Sequence, residues 1–574
     1  MVISNVEIAA FFDDLADLLE IKGENPFKIR AYKNAARTIE NLGTDISEMV
    51  YDGTDLSQIP TIGEHIALKI EEIVKTGKLA KLEALKHSFP PHLLDLLKVE
   101  GIGPKRTKLL YEKLHIDSLE TLRKAAEEHR IKALDGFDEK LEQTILKGML
   151  LAKKAGQRFL YSTAEPHAKA LESYLRSAKD VSKVTVSGSF RRRKDTVGDL
   201  DIIVTSKSPS SLIDYFVAYP DIKEILSHGD TRSTVILNNH LQVDLRCVKD
   251  ESYGAALHYF TGSKSHNIAI RKIAIDLGLK VNEYGIFNTK GKMIAGSTEE
   301  EMYKTVGLRY IEPELRENRG ELEAARDNTL PKLLKTDDIK GDLHMHSVYS
   351  DGYNSVLEMA EAAKAMGYSY IAMTDHSAHI PIVHGMDQRK VRAQLEEIDR
   401  VNETLQDFTI LKSAEVDILE DGSLVWPDSI LKELDLVVGA IHDKFKLSAE
   451  KQTERILKAM DNPYLNILAH PTGRLIGERE AYEADMQRIF EEAKAKGCIM
   501  EINAQPKRLD LNDIYTKMAK EIGLKFALST DAHNIETLHY MVYALNQARR
   551  GWLEKKDVVN TYDLSSLKNM LHRT

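Results

Sequence analysis

The sequence predicts a multidomain α and α/β protein: small helical domains first, a mixed α/β region in the middle, and a βα barrel at the end. Three observations predict it. Near the start, a helix, a tight glycine turn and a second helix recur at an offset of 40 residues. Between residues 184 and 204, an apolar strand pattern carries two acids at i and i+2. From about residue 339, strand and helix patterns alternate, and His, Asp or Glu stands at the end of one strand after another. A length of 574 residues allows about four domains of ~150 residues, so several separate cores fit.

Composition narrows the class. With 43% hydrophobic and 29% charged residues, the chain is ordinary for a globular protein rather than a disordered one. Cys247 and Cys498 are too few and too far apart for a disulfide framework or a cysteine zinc site, which fits a reducing compartment. The N-terminal MVISNVEIAAFFDDLADLLE is acidic and amphipathic, unlike a secretion signal, and no apolar run reaches the ~18 residues of a membrane span. A soluble, cytoplasmic protein without a membrane partner is expected. The net charge of −10 argues only superficially against nucleic acid, because charge averages over domains. Residues 151–200 carry 11 Lys and Arg against 5 Asp and Glu, which marks a candidate phosphate-facing surface.

Taking the elements in order, helical spacing appears over 8–19 and 31–42 and is broken at 23–26 and at Gly43. Then IPTIGEHIALKI (59–70) matches VEGIGPKRTKLL (99–110), and GFDEKLEQTI (136–145) is a weaker third copy in which Asp138 replaces the second glycine. Turns of this kind, at Gly63 and at Gly101–Gly103, present backbone N–H groups at a helix start and bind a phosphate without reading a base. Lys105 adds a cation beside the second. The competing reading is an ordinary helix–turn–helix connection.

In the middle region, GSFRRRKDTVGDLD (188–201) lies between apolar Val184 and Val186 and apolar 202–204. Asp199 and Asp201 therefore share a strand face. Unit charges ~4 Å apart at an effective dielectric of ~20 repel by roughly 4 kcal/mol, which a divalent cation turns into attraction. Gly188 and Ser189 offer donors ahead of the acids, and Arg191, Arg192, Arg193 and Lys194 offer cations suited to a polyphosphate. Taken alone, the motif is equally a solvated basic turn before a strand. In LQVDLRCV (241–248), apolar residues alternate with Gln242, Asp244 and Arg246, so Asp244 faces away from the core and can join the other two acids. Three carboxylates on neighbouring strands are what two-metal nucleotidyl transfer needs.

With YFTGS (259–263) and NEYGIF (282–287) added to GSFRR, GDLD and VDLR, residues 1–320 resemble a family X DNA polymerase of the DNA polymerase beta type. The resemblance implies a DNA-end-binding helical domain over 1–85 and a second helix-hairpin-helix domain over 86–150. It further implies a nucleotidyltransferase palm over 151–260 and a thumb over 261–320, acting on gapped or nicked DNA with dNTPs. Asp199, Asp201 and Asp244 would hold two Mg²⁺ or Mn²⁺ ions. Ser189, Arg192 and Gly198 would hold the triphosphate and Tyr259 and Phe260 would lie under the sugar, with Gly188 and Gly262 also at the bound dNTP. Asn267 would touch the incoming base and Arg271 the template minor groove. Gln242 departs from an arginine common at its position. The resemblance also implies a lyase lysine at Lys69, with Lys28 and Tyr32 as DNA-end contacts. Thr61 and His65 depart from that pattern, and a surface helical lysine is the competing reading.

Residues 321–338, charged and with one proline, read as a linker. Beyond them, the strand ends carry His344, His346, Asp375, His376, Glu415, His442, His470, Asn503, Asp531 and His533, which reads as a metal cluster at the catalytic end of a barrel. Through HMH, SDG, TDH, AEVDI, GAIH, AHP and STDAH, residues 339–574 resemble the polymerase and histidinol phosphatase (PHP) family, a distorted seven-stranded (β/α)₇ barrel with up to three Zn²⁺ or Mn²⁺ ions. By position, His344, His346, Glu415 and Asp531 would hold the first metal and Glu415, His442 and His470 the second. Asp351, His376 and His533 would hold the third, where a carboxylate at Asp351 favours Mn²⁺.

The order of the two halves resembles the bacterial and archaeal PolX architecture. It implies a monomeric DNA repair enzyme of the base excision type that fills short gaps, with a barrel that removes 3′ nucleotides or blocking groups and incises abasic sites. Two alternatives stand beside it: a nucleotidyltransferase fused to a small-molecule phosphatase, and a DNA-end-binding scaffold with an inert polymerase.

Overall fold

A computed structural model describes residues 5–40, 46–51, 53–59, 61–90, 92–99, 102–134, 137, 142, 158–379 and 383–571. The described residues divide into two compact units that do not follow the linear order: one draws on 1–158, 178–185 and 201–306, the other on 159–177, 186–200 and 307–574.

In the first unit, helices Asn5–Lys22 and Pro26–Glu40 match the predicted spacing. Buried residues from Ile8 through Ile70 and Leu110 to Phe137 form one continuous core, so the helical segments expected as two domains share their interior. Gly63 caps the helix Glu64–Thr76, and Gly103 caps Pro104–Leu114, whose proline stands in the first turn where no backbone donor is lost. Thr61 occupies a left-handed backbone conformation, φ +72°, which explains why glycine is usual there. Its hydroxyl lies 2.6 Å from that of Thr38. Gly101 and most of the third copy (136–145) lie outside the described residues; of that copy only Phe137 and Glu142 are described.

A five-stranded sheet follows in the order Val181–Val186, Asp199–Ser206, Gln242–Val248, Arg232–Leu237, Ile222–His228. Leu241, Val243, Leu245 and Cys247 are buried and Gln242, Asp244 and Arg246 half-buried, as the alternation predicts. Helices Tyr253–Thr261 and Lys264–Asp276 then lead to a small antiparallel sheet of 280–282, 285–287 and 293–295. Ser263 starts the second helix by accepting from the His266 N–H.

In the second unit, seven parallel strands run in sequence order: Gly341–Asp342, Tyr370–Met373, Thr409–Asp417, Leu436–Ala440, Leu465–Leu468, Ile499–Asn503 and Phe526–Ser529. The ring closes through residues at the strand ends: the His346 N–H donates to Ala532 O and the Asp531 N–H to His344 O, both at 2.8 Å. The barrel interior is apolar, with Leu343, Ala372, Val438, Ile467 and Ala527 packed alongside Leu567 and Leu571 of the last helix. Residues 321–338, expected as a linker, contain the helix Glu321–Asp327 and put Leu334 into the barrel's larger core. The apolar residues of this stretch are too few to show periodicity, yet Leu322, Ala325, Leu333 and Leu334 are buried. Among the described residues, no helix is long and apolar enough to cross a membrane.

Candidate functional site

The barrel positions its ionisable residues by one repeated device: at or just past the end of every strand but the sixth, which ends in Asn503, stands a His, Asp or Glu. His344 and His346 follow the first strand, His376 the second, His442 the fourth, His470 the fifth, and Asp531 and His533 the seventh. Glu415 lies inside the third strand and is the hub. Its carboxylate is 2.8 Å from His376, 2.9 Å from His470, 3.2 Å from His442, 3.4 Å from His344 and 3.8 Å from His346. Asp531 lies 3.1 Å from His346 and 3.8 Å from His344. Asp351 lies 3.4 Å from His533, 3.7 Å from His376 and 3.9 Å from His346. All nine residues named for the barrel metals are thus drawn together.

Their grouping differs in detail from the sequence expectation. Ligand atoms cluster as His346, Asp351, His376 and His533; as His344, His346 and Asp531; and as His376, Glu415 and His442. His346 and His376 each serve two groups, because their rings stack at 4.4 Å between the carboxylates.

Metal fits this donor set. His344 Nε2, His346 Nδ1, His376 Nδ1 and Glu415 Oε2 are buried without a well-directed hydrogen bond, although His376 Nδ1 and Glu415 Oε2 lie 2.8 Å apart, a costly arrangement unless a cation takes their lone pairs. Burial alone would raise Glu415, but His376, His442 and His344 hold it well below the usual carboxylate range. Burial and the neighbouring His533 and His376 push His346 down to about 3, which keeps its lone pair available. Against the effect of burial, Glu415 and the Asp417 hydrogen bond push His442 up to about 10. His470 and Asp531 both adopt left-handed backbone, φ +29° and +52°, at a cost of roughly 1–2 kcal/mol each.

A supporting layer stands behind the cluster; sequence reading placed Asp375 and Asn503 at strand ends but missed Glu501 and Asp417. His344 Nδ1 donates to Glu501 at 2.7 Å, and the other Glu501 oxygen accepts the His470 N–H at 2.7 Å. His442 Nδ1 donates to Asp417 at 2.9 Å, and Asp417 accepts from Ser377 at 2.6 Å. Asp375 accepts from the backbone and hydroxyls of Ser347 and Ser350 and from Gln394, which ties down the loop carrying Asp351. Asn503 donates to Asp531 and Glu501, both at 3.1 Å. These partners fix ring orientation and tautomer. The available signal was an acid inside an otherwise apolar strand, as Glu501 is in CIMEIN.

The palm sheet is built differently. Asp199 and Asp201 are half-buried at the start of one strand, beside the strand carrying half-buried Asp244. Thr234 Oγ1 donates to one Asp244 oxygen at 2.6 Å and Gln242 Nε2 to the other at 2.7 Å. Gln242, the residue that departs from the usual arginine, thus orients the acid. Each oxygen keeps a second lone pair, and an oxygen-only set suits Mg²⁺ or Mn²⁺. Gly188 is buried at φ +64° and opens the turn Gly188–Arg191, which holds Ser189; Gly198 immediately precedes the acid strand. Arg192 Nε donates to Glu317 at 3.0 Å.

Asn267 Nδ2 donates to Tyr259 O at 2.7 Å, while its Oδ1 is buried without a partner. Arg271 sits 5.6 Å over the Tyr259 ring, and Tyr259 and Phe260 meet edge-on at 5.1 Å, so four predicted nucleotide contacts are adjacent. Gly262, φ +68°, ends the preceding helix. Arg246, which sequence reading left unassigned, lies 4.5 Å over Phe260.

Near the N-terminus, Lys69 Nζ donates to His65 O at 3.0 Å, Lys28 pairs with Glu24 at 3.2 Å, and buried Tyr32 receives Lys81 at 3.4 Å. Among the described residues, no hydrogen bond or ion pair joins Lys69 to Lys28 or Tyr32. Lys105 is exposed beside the second turn.

The chain matches five families along its length: a helix-hairpin-helix domain over 3–79, a SAM-like helix-hairpin-helix tandem over 93–148, the DNA polymerase beta palm over 162–262, the DNA polymerase beta thumb over 256–317, and the PHP domain over 342–505. It is 38% identical to the DNA polymerase/3′-5′ exonuclease PolX of Bacillus subtilis (strain 168), across 99% of each chain. It is also 32% identical to a probable phosphatase of Thermoanaerobacter sp. (strain X514), over 40% of this chain and 93% of that one. A probable phosphatase of Caldanaerobacter subterraneus is 30% identical over 33% of this chain and 75% of the other.

Proposed function

The chain belongs to the PolX family, and on that premise we propose that it is a DNA repair polymerase that fills short gaps and carries a 3′–5′ exonuclease in its barrel. One observation carries the reading: an acid set on the palm sheet and a His and carboxylate cluster of eight residues, with His470 against its Glu415, occur in one chain that aligns end to end with a polymerase/exonuclease. An inert scaffold would not call for both sets, and a fusion to a small-molecule phosphatase is disfavoured by the end-to-end alignment with a polymerase/exonuclease.

In this reading, Asp199, Asp201 and Asp244 hold the polymerase metals, two Mg²⁺ or Mn²⁺. His344, His346, Asp351, His376, Glu415, His442, His470, Asp531 and His533 hold up to three Zn²⁺ or Mn²⁺. When bound, such ions supply Lewis-acid activation of the attacking oxygen and neutralise charge on the phosphate. The chain's own residues do the rest. Gly188, Ser189, Arg192 and Gly198 grip the triphosphate. Tyr259 and Phe260 lie under the sugar, Asn267 presents its unpartnered Oδ1 to the base edge, and Arg271 reaches the template. Gly63, Gly103 and Lys105 hold the DNA backbone without reading sequence, so binding weakens with salt. In the barrel, Glu501 and Asp417 hold His344 and His442 in the tautomer that leaves Nε2 facing inward. Arg508, 3.9 Å from Asp531, places a cation at the rim. A role in base excision repair, a cytoplasmic location and a monomeric chain belong to the same reading.

The test is a time course on 5′-labelled DNA with a one-nucleotide gap, with Mg²⁺ or Mn²⁺, with and without dNTPs. One-nucleotide extension with dNTPs and stepwise shortening without them are expected. Hydrolysis of phosphorylated metabolites with no shortening of DNA would favour the phosphatase alternative. A lyase role for Lys69 is tested in the same chain: borohydride trapping on abasic DNA that survives Lys69→Ala excludes it.

A further inference from the structure

The basic loop ahead of the acids is anchored to side chains of residues 314–317 and of the C-terminal half. Arg192 Nε donates to Glu317 at 3.0 Å. Arg550 Nη1 donates to that same Glu317 oxygen at 3.0 Å and to the Arg192 backbone carbonyl at 2.7 Å, while its Nη2 donates to Asp513. Arg193 pairs with Glu314 at 2.9 Å and donates to Asn546, and Arg549 meets the same Glu314 oxygen at 2.8 Å. Arg474 pairs with Asp195 at 3.2 Å. Next to the loop, Tyr161 stacks on Phe190 at 4.7 Å and meets Tyr543 edge-on at 6.1 Å.

The Arg550 side chain is 1% exposed, and those of Glu317 and Arg192 are 12% and 13% exposed. A guanidinium is a rigid planar fork. Taking its Nε–H with a carboxylate fixes the plane in which its two outer nitrogens lie, and those are the groups that engage phosphate oxygens in pairs. Glu317 is itself held by Arg550, and so is the Arg192 carbonyl, so one buried side chain sets both ends of the Arg192 residue.

We propose that Arg550 is a positioning residue for nucleotide binding, acting through Glu317 and the Arg192 carbonyl to hold the Arg192 guanidinium where it meets the triphosphate. The inference rests on the reading of Arg192 as a triphosphate ligand. It makes part of the C-terminal half a component of the polymerase, apart from the barrel's own chemistry.

Single-nucleotide insertion kinetics on the full chain test it, using Arg192→Ala, Glu317→Gln, Arg550→Lys and Arg550→Met, with 3′–5′ shortening of the same primer measured alongside. Arg550→Met and Glu317→Gln are expected to raise the dNTP KM by roughly tenfold with kcat changed far less, and Arg550→Lys to fall between Met and the parent. Shortening should stay at the parent rate, which also reports an intact C-terminal fold. If Arg192→Ala raises KM while the Arg550 and Glu317 variants do not, the positioning role is overturned and the Arg192 reading stands. If Arg192→Ala leaves KM unchanged, the underlying reading fails. Loss of both activities together in the Arg550 and Glu317 variants would make the network purely structural and would also overturn the proposal.

Discussion

The two ionisable constellations of this chain solve opposite problems. On the palm sheet, one of three half-buried carboxylates, Asp244, is steadied by neutral donors, Thr234 and Gln242. In the barrel, His344, His346 and Glu415 are wholly buried, and a further shell of acids, Glu501, Asp417 and Asp375, holds the first in place. The contrast teaches where the metal's charge is balanced. Hard cations such as Mg²⁺ bind through a few carboxylates plus the substrate's own phosphates, so a sparse, open site suffices. A cage of imidazoles is assembled by the protein alone, and its outer shell has to be in place before substrate arrives.

The largest test of this comparison is to remove one acid or one imidazole. Asp201→Ala is expected to abolish primer extension, by more than about a thousandfold, and to spare 3′ shortening; His346→Ala is expected to do the reverse. Gel assays on gapped DNA read both, and joint loss in either variant would break the separation of the sites.

Acid sharpens it next. An imidazole ligand has to be neutral, and in the barrel Glu415 and the Asp417 hydrogen bond push His442 up to about 10, whereas carboxylates stay ionised down to about 4. As pH falls from about 10 to 7, at limiting free metal, shortening should fall by roughly tenfold or more while extension changes less. Equal loss of both would show that the barrel's metals are not held by its histidines.

A smaller effect is expected one layer out. Glu501→Gln keeps the size of the side chain but weakens the hold on His344 Nδ1, and should cut metal affinity of the barrel by about 10- to 100-fold with extension unchanged. Titration of the chelated protein with Mn²⁺, read by shortening activity, measures it.

The smallest is a matter of stability. Burial would raise Asp513, but Arg550 and Arg319 push it down to about 2. A depressed carboxyl contributes stability that is complete above its unfolded value of ~3.9 and is lost as pH falls through about 2. At pH 7 the contribution is about 2 kcal/mol, so Asp513→Asn should lower the melting temperature at neutral pH and converge with the parent near pH 2. A constant difference across that range would show that the pairing adds nothing.

Much of this was legible in the chain itself. The alternation in LQVDLRCV placed Asp244 on the polar face, and the strand-end rhythm of HMH, TDH, GAIH, AHP and STDAH brought out the barrel and its nine donors. Such patterns survive in sequence because strand periodicity is local: the residue two positions away decides which side a carboxylate faces. Three things were not legible. The grouping of His346 and His376 into two clusters each depends on ring stacking between strands far apart in the chain. The roles of Glu501 and Gln242 depend on which neighbour each reaches. The 321–338 stretch looked like a linker because its apolar residues share no period, and only a surface built elsewhere makes Leu334 core.

By itself, then, the sequence determined the element types, the face each acid or histidine occupies, and the pairing of a polymerase-like half with a PHP-like half. Tertiary structure alone decided which donors share a group, which acids stand behind them, and that Arg550 grips Arg192 across 358 residues. The physical reason is that backbone propensity and hydrophobic period act over a few residues. Charge pairing and hydrogen-bond satisfaction are instead settled wherever folding brings two groups within about 3 Å of each other.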